Sequence, residues 1–503
     1  MKTLSSVTEK TEYSLFYNKD IYTQKEIFDM SVEDIVYNSN LSFCNSMFFC
    51  IIGSKADGHS YAIKAYERGA RIFVCERVLT LPDDAVQLIV EDSRKALAQM
   101  SANFFEHPEK KLNIIGVTGT KGKSSVCEMI AHIFSSVNIP VATIGTIGIK
   151  YGGNTYITEN STPESYLLYK HFSKMVEAGI KYVAMEVSSQ SVYLNRVYGI
   201  DFKASVVTNI YEDHIGPAEH PDFEHYKACK KRVLSCSEQV FLNFDDGYYS
   251  EFKSFATSSV KSFGIDKNAD ISARNIEKLK MGNIFGVSFE CLYKKENVCI
   301  TLPIPGIFSV YNALAAICVC NFFGISFFEC AGALKTVSIK GRFEIVPTSL
   351  ADITCVIDYA HNGKSLMRVL ETIRSYDPER IICVFGSVGG RTKRRRKEMA
   401  VVADSLADIC IVTSDNPDTE DPNDIIQEIS QFISEEKCYC EPDREKAIYY
   451  ALSISEPGDF ILLAGKGHEE YQLINGKKLF FSEKEIIRKA ASNVKKEISF
   501  SEL

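Results

Sequence analysis

Ten residues, Gly116-Val-Thr-Gly-Thr-Lys-Gly-Lys-Ser-Ser125, carry the strongest chemical signal in the chain. They follow the apolar run Asn113-Ile-Ile and lead into an amphipathic stretch from Ser124, the strand–loop–helix order of a phosphate loop. Gly119 and Gly122 let backbone N–H groups approach an anion closely, and a helix start adds partial positive charge. Lys123 can neutralise terminal phosphates and Ser124 can ligate Mg²⁺. Thr120, Lys121 and Ser125 fill out the expected nucleotide contact. The spacing departs from G-x4-G-K-[ST]: counted back from Gly122, the first glycine position holds Val117, and the glycine sits at 116. Taken alone, the loop points to an NTPase or an ATP-dependent transferase.

Other candidates stand where apolar runs end. Glu186 closes YVAMEV, which a parallel sheet would set beside the phosphate loop. Further on, Asp358 and His361 follow CVID, Arg391 follows IICVFG, Asp415 and Asn416 follow ICIVTS, and Gly465 to Glu469 follow DFILLA. In a doubly wound sheet, ligands sit beyond the carboxyl ends of the strands, where these residues would lie. The basic run Arg391–Lys397 could suggest RNA, but it lacks interleaved aromatics in a chain of 57 Lys+Arg against 65 Asp+Glu. A helix-start anion site or a solvated face is the better reading of it.

The loop form GTKGKSS (119–125) resembles that of Mur ligases and folylpolyglutamate synthetases. The rest of the chain is similar to this superfamily nearly end to end, most of all to the members that add the third amino acid in peptidoglycan synthesis. The stretches are DGHSYA (57–62), NSTPES (160–165), EVSSQ (186–190), NRV (195–197), TNIYEDH (208–214), HYKACK (225–230), YNALAA (311–316), GRFE (341–344), DYAH (358–361), DNP (415–417) and GKGHEEYQ (465–472). The resemblance implies amide formation: ATP converts a carboxylate to an acyl phosphate, an amine attacks, and phosphate leaves. Each step gathers negative charge, so such a site needs cations and donors more than a nucleophilic side chain.

By the same resemblance, Glu186 and His214 hold Mg²⁺ together with Ser124. Lys230 is a lysine that the family carbamylates, which turns an ammonium into an anionic metal ligand. The segment carrying His214 and Lys230 is two residues longer than in many relatives. Asn312 would meet adenine, Arg342 the phosphates and Asp358 the ribose, with His361 either a ligand contact or a structural hydrogen bond. Ser161, Thr162, Ser188 and Arg196 would bind the UDP-sugar peptide, with Ser39 at the uridine pocket, although Asn40 replaces the arginine found there in relatives. Gln190 stands where a histidine is common. The incoming amino acid would meet Arg391, Asp415, Asn416, Asp418, Gly465 and Glu469. Diaminopimelate-adding members carry Asp-Asn-Pro-Arg, whose arginine holds a second carboxylate; here Asp418 replaces it and favours a terminal ammonium. The implied partners are therefore UDP-N-acetylmuramoyl-L-alanyl-D-glutamate and L-lysine, with L-ornithine or meso-diaminopimelate as alternatives. A folylpolyglutamate-type ligase and a nucleotide-binding regulator or pseudoenzyme are the rival classes. DGHSYA speaks against the first, and Lys123, Glu186, His214 and Lys230 together against the second.

These residues need a scaffold of at least two parallel sheets. At ~150 residues per domain, 503 residues suggest about three domains. The expected α/β fold has a small N-terminal domain (1–110) for the UDP-sugar and a central P-loop domain (111–338) for ATP. A C-terminal Rossmann-like doubly wound domain (339–503) would take the amino acid. EHPEKK (106–111) marks the first boundary. VSFECLYKKENVCITL (287–302) reads as a hairpin and Tyr311–Phe328 as a buried helix. With 45% apolar and 24% charged residues and a net charge of −8, disorder and broad nucleic-acid binding are excluded. Sixteen cysteines without a CxxC pair or a secretory signal imply buried thiols in a cytoplasmic protein. Asn312, Asn321, Gly324 and Ser326 interrupt the run 311–328, so no membrane insertion is expected, and the expected state is a monomer.

Overall fold

Near-continuous apolar strands need helices on both faces, and the chain supplies them by alternating the two. The computed structural model describes residues 2–501, apart from 54–55, 217–218, 283, 295, 351 and 391–392. The chain divides into two compact units: residues 1–272 with 293–295 and 311–330, and residues 273–292, 296–310 and 331–503.

Among the described residues, the first unit holds a two-stranded pair, Lys2–Thr3 with Ser31–Val32, and two main sheets. The N-terminal one has five strands in the order Ser14–Phe16, Val86–Ile89, Ile72–Cys75, Ser46–Phe49 and Asp34–Val36, parallel except for the first pair. DGHSYA is a structural knot at its rim. Asp57 caps the turn Gly58–Tyr61 and accepts from Arg77 Nη2 at 2.6 Å, while His59 Nε2 accepts from Glu76 N–H at 3.0 Å. The helix Ser93–Phe104, capped by Asp92, packs on the helix Ser165–Glu177 of the second sheet.

Within this unit, that second sheet includes, in order, Asn154–Tyr156, Gly148–Tyr151, Val141–Gly145, Tyr182–Glu186, Asn113–Thr118, Phe202–Val207, Ser237–Asn243 and Ser259–Gly264, parallel from Val141–Gly145 to Ser259–Gly264. The expected strands NIIGVT, YVAME and ASVV sit at its centre, where Ile114, Val183, Met185 and Phe202 join one apolar core. The expected hairpin appears as the strands Ile284–Tyr293 and Glu296–Leu302. The apolar run after Pro305-Gly306 forms the helix Ile307–Phe322, and no helix among the described residues is long and apolar enough to cross a membrane.

The second unit contains a six-stranded sheet in the order Glu344–Val346, Thr354–Asp358, Phe460–Ala464, Ile381–Phe385, Ile409–Thr413 and Cys438–Glu441. Only the first pair is antiparallel. The chain passes from Thr354–Asp358 to Ile381–Phe385 and later returns to fill the gap between them, the reversal that opens a crevice at carboxyl ends. Eleven of the sixteen cysteines are buried, and all sixteen are free thiols.

Candidate active site

The strand Asn113–Thr118 delivers the loop 119–122 to the helix Lys123–Ser136, whose N-cap is Gly122. Gly119 (φ +134°) and Gly122 (φ +89°) both adopt backbone that favours glycine. A Cβ on Gly119 would collide with the Thr208 hydroxyl, and one on Gly122 would come within 2.5 Å of Asn312 Oδ1. Asn312 is thus packed against the turn of the loop.

The TNIY segment braces the loop from the next strand. Thr120 N–H donates to Asn209 O (2.8 Å), Lys121 N–H to Asn209 Oδ1 (2.9 Å), and Thr208 Oγ1 to Lys121 O (2.6 Å). Tyr226 OH meets Thr120 Oγ1 at 3.0 Å. Asn209 and Tyr226 were not legible as site residues, because nothing in their own spacing marks them.

Two lysines converge on one carbonyl. Lys123 Nζ donates to Gly119 O at 2.9 Å and to Thr120 O at 3.1 Å. Lys230 Nζ, from the helix Phe223–Ser235, donates to the same Gly119 O at 2.8 Å and lies 4.6 Å from the Tyr226 ring centroid. Lys230 is 1% exposed. Burial, with the Lys123 cation adding to it, holds its amine well below the ordinary lysine range. An uncharged amine with a lone pair is the form that can add to CO₂.

Glu186 ends its strand opposite Val117, one residue before the loop's strand turns away. Its buried carboxylate accepts from Thr146 N–H (2.7 Å) and Thr146 Oγ1 (3.2 Å), partners that the sequence did not suggest. Glu186 and the Ser124 hydroxyl give oxygen donors of the kind Mg²⁺ takes, so the residues present fit that ion. His214 adopts φ +59°, half exposed, with Nδ1 3.1 Å from Glu219 Oε1. It reaches the loop indirectly: its neighbour Asp213 pairs with Lys121 at 3.1 Å.

On the expected sugar-peptide side, Thr162 Oγ1 donates to Glu186 O (2.9 Å) and accepts from Ser188 N–H (3.1 Å). Ser188 caps the short helix Ser189–Tyr193, which carries Gln190. Arg196 is engaged within the protein, through Nε to Glu164 (2.8 Å) and Nη1 to Thr162 O (3.1 Å), and Arg94 reaches the same Glu164 at 3.3 Å. Ser161 directly precedes Thr162, and Ser39 is buried at the start of the turn Ser39–Leu41, which follows the strand Asp34–Val36 of the N-terminal sheet.

In the second unit, Asp358 accepts from Phe343 N–H at 2.7 Å, and the Arg342 guanidinium stacks 4.6 Å from the Tyr359 ring centroid. Burial pushes the Asp358 carboxyl up to about 6 against the opposing pull of Arg342. His361 Nδ1 lies 2.8 Å from Tyr359 O. At the neighbouring strand ends, Lys466 Nζ donates to Asn416 Oδ1 (3.0 Å) and stands 3.7 Å from both Asp415 and Glu469. Asn416 Nδ2 donates to Glu469 Oε2 (2.8 Å), and burial raises the Glu469 carboxyl. Gly465 N–H donates to Asp358 O at 3.1 Å, so the expected ribose and amino-acid residues share one rim. Asp418, at φ +53°, accepts from Gly476 N–H at 2.7 Å in the turn between Tyr471–Ile474 and Lys477–Phe480. Arg444, fully buried and unexpected from sequence, donates to Ser414 O (3.1 Å), Ala464 O (3.0 Å) and Glu483 (2.8 Å). Arg391 lies outside the described residues. In the basic run that follows it, Lys393 pairs with Glu428, Arg394 with Glu398 at 2.7 Å, and Arg396 is buried between Glu420 and Glu428 (2.7 Å each).

Residues 117–320 match the Mur ligase middle domain, and residues 341–467 match the Mur ligase glutamate ligase domain. The chain is 36% identical over 496 residues to the UDP-N-acetylmuramoyl-L-alanyl-D-glutamate--2,6-diaminopimelate ligase of Clostridium botulinum, covering 98% of this chain and all of that one. The chain belongs to the Mur ligase family. The ligase of the same name from Caldanaerobacter subterraneus is 38% identical over 471 residues, covering 93% of this chain and 96% of its own. A solved structure of a ligase so named superposes with a TM-score of 0.67 at 23% identity, over 95% of this chain and 99% of the other, which shows the shared fold. This Mur ligase is an ATP- and Mg²⁺-dependent amide ligase of peptidoglycan synthesis, and it adds an amino acid to a UDP-N-acetylmuramoyl peptide.

Proposed function

We propose that this Mur ligase joins L-lysine to UDP-N-acetylmuramoyl-L-alanyl-D-glutamate in the cytoplasm, acting as a monomer. The reading divides the labour among residues 1–110 for the UDP-sugar, 111–338 for ATP and 339–503 for the amino acid. Lys123 and the backbone of residues 119–125 hold the ATP phosphates, with Asn312 at adenine, Arg342 at phosphate and Asp358 at ribose. Glu186, Ser124, His214 and a carbamate on Lys230 would hold Mg²⁺, which offsets charge on the transferring phosphoryl group. The buried Lys230 amine, held well below the ordinary lysine range, supports that carbamate.

A carboxylate oxygen of the D-glutamate residue takes the γ-phosphoryl group, and ADP departs. The α-amine of the incoming amino acid, having lost a proton, attacks the acyl carbon. Phosphate then leaves with the carboxylate oxygen. Ser161, Thr162, Ser188, Arg196 and Ser39 serve the sugar peptide, with Arg196 acting through Glu164 and the Thr162 carbonyl. Arg391 takes the amino acid's carboxylate, and Asp415, Asn416, Gly465 and Glu469 complete its pocket.

The observation that carries the choice of lysine is Asp418, two residues beyond Asn416. An acid there repels a second carboxylate and attracts an ammonium. The names of the relatives favour meso-diaminopimelate as the second reading. Paired kinetics decide between them. Lysine is expected to exceed meso-diaminopimelate in kcat/KM by on the order of a hundredfold, and Asp418→Arg to weaken lysine use. A wild type that prefers diaminopimelate, or an Asp418→Arg enzyme with unchanged lysine kinetics, would overturn the lysine assignment.

A further inference from the structure

Behind the reacting residues lies a cluster that the ligation chemistry does not use. His225 and Cys229 stand four apart on the helix Phe223–Ser235, so their side chains leave the same face. His220 precedes the helix cap Asp222 and turns its ring back toward them. Its Nδ1 lies 2.8 Å from His225 Nδ1, and the ligand atoms of His220, His225 and Cys229 all fall within 4.8 Å of one another. His220 and Cys229 are buried and His225 is half-buried.

We propose that His220, His225 and Cys229 form a binding site for a borderline-soft divalent transition metal of the Zn²⁺ or Co²⁺ class. Two imidazole nitrogens and a thiolate suit such ions, whereas Mg²⁺ favours a set dominated by oxygen such as Glu186, Ser124 and a Lys230 carbamate, so this site is chemically separate from the ATP-linked one. Three protein ligands leave the fourth tetrahedral position for water, and the half-buried His225 side provides the way in. On binding, the Cys229 thiol gives its proton to solvent as the metal–sulfur bond forms.

Two further features fit a ligating arrangement. His220 Nε2 lies 2.9 Å from Ser189 Oγ; donation there leaves the Nδ1 lone pair aimed at His225 and Cys229, the outer hydrogen bond that ligating histidines use. The rings of Tyr193 and Tyr226 wall the site, with centroids 4.8 Å from His225 and 5.3 Å from His220 respectively. Cys229 adjoins Lys230, and Ser189 adjoins Ser188. A bound metal therefore ties together two backbone segments that carry residues of the reaction while standing outside it.

The test is Co²⁺ titration of the full-length, metal-stripped enzyme. The expected result is one equivalent bound per chain, with intense tetrahedral d–d bands and a near-ultraviolet sulfur-to-cobalt band, both lost when Zn²⁺ is added. Cys229→Ser should abolish the near-ultraviolet band, and His225→Asn should weaken binding by about tenfold or more. Cys440→Ser, which alters the exposed partner of the Cys438/Cys440 pair, should leave the spectrum unchanged. Metal-free melting curves establish that each variant is folded. A wild type without the sulfur band, or a band that survives Cys229→Ser or disappears with Cys440→Ser, would overturn the proposal.

Discussion

Lys230 shows how much a single side chain's surroundings decide. Neighbours Lys227, Lys231 and Arg232 in the sequence suggest a basic helix face. In the fold, Lys227 and Lys231 pair with Glu251 (3.2 and 2.5 Å), whereas Lys230 has turned inward to Gly119 O. A charged ammonium there would face both desolvation and the Lys123 cation, and a carbamate turns the repulsion from Lys123 into attraction. Lys230→Ala is expected to lose ligation by at least ~10²-fold and to regain part of it with added short-chain carboxylates. Activity assays with and without those acids, alongside intact-mass detection of the carbamate in bicarbonate-supplied enzyme, check this. Asp358 gives a pH-dependent counterpart. Its carboxyl, raised to about 6 in the fold, favours the protonated form. That contribution is present below the ordinary carboxyl range and is lost as pH rises through about 6, at most about 3 kcal/mol. Asp358→Asn should therefore melt higher than wild type at pH 7.5, with the gap closing toward pH 4.5. Melting curves across that range test it, and a gap independent of pH contradicts it.

At the scale of elements, the strands were the most readable feature. Runs such as IICVF and FILLA are apolar on both faces, which only a doubly covered sheet satisfies, and both are parallel neighbours in the second unit. The loop was readable because glycine and lysine spacing is itself the chemistry. What escaped were residues that act on the backbone of other elements. Asn209 and Thr208 clamp Lys121, Thr146 holds Glu186, and Arg444 ties Ser414 to Ala464. Their partners lie 20 to 88 residues away in sequence, so no local period or motif reports them. Arg444 holds the segments that carry Asp415 and Gly465 while its charge is met by Glu483 (2.7 Å). Removing one partner of a buried pair leaves the other uncompensated. Arg444→Leu is expected to destabilise the second unit by roughly 3–5 kcal/mol and to raise KM for the amino acid more than KM for ATP. Denaturant unfolding and substrate-specific kinetics measure the two effects.

For the whole molecule, the ligase reading rests on one chemical requirement: phosphate must activate a carboxylate before an amine can attack it. Each unit supplies its own set of groups. The first brings two lysines to one loop carbonyl with a buried glutamate alongside, and the second brings an acidic, lysine-centred rim fit for an amino acid. The most direct test labels the D-glutamate carboxylates of the UDP-sugar dipeptide with ¹⁸O and analyses the phosphate released during turnover with ATP, Mg²⁺ and lysine. The acyl-phosphate account predicts one ¹⁸O atom in each phosphate, in step with formation of the amide product; amide formation accompanied by unlabelled phosphate would contradict it.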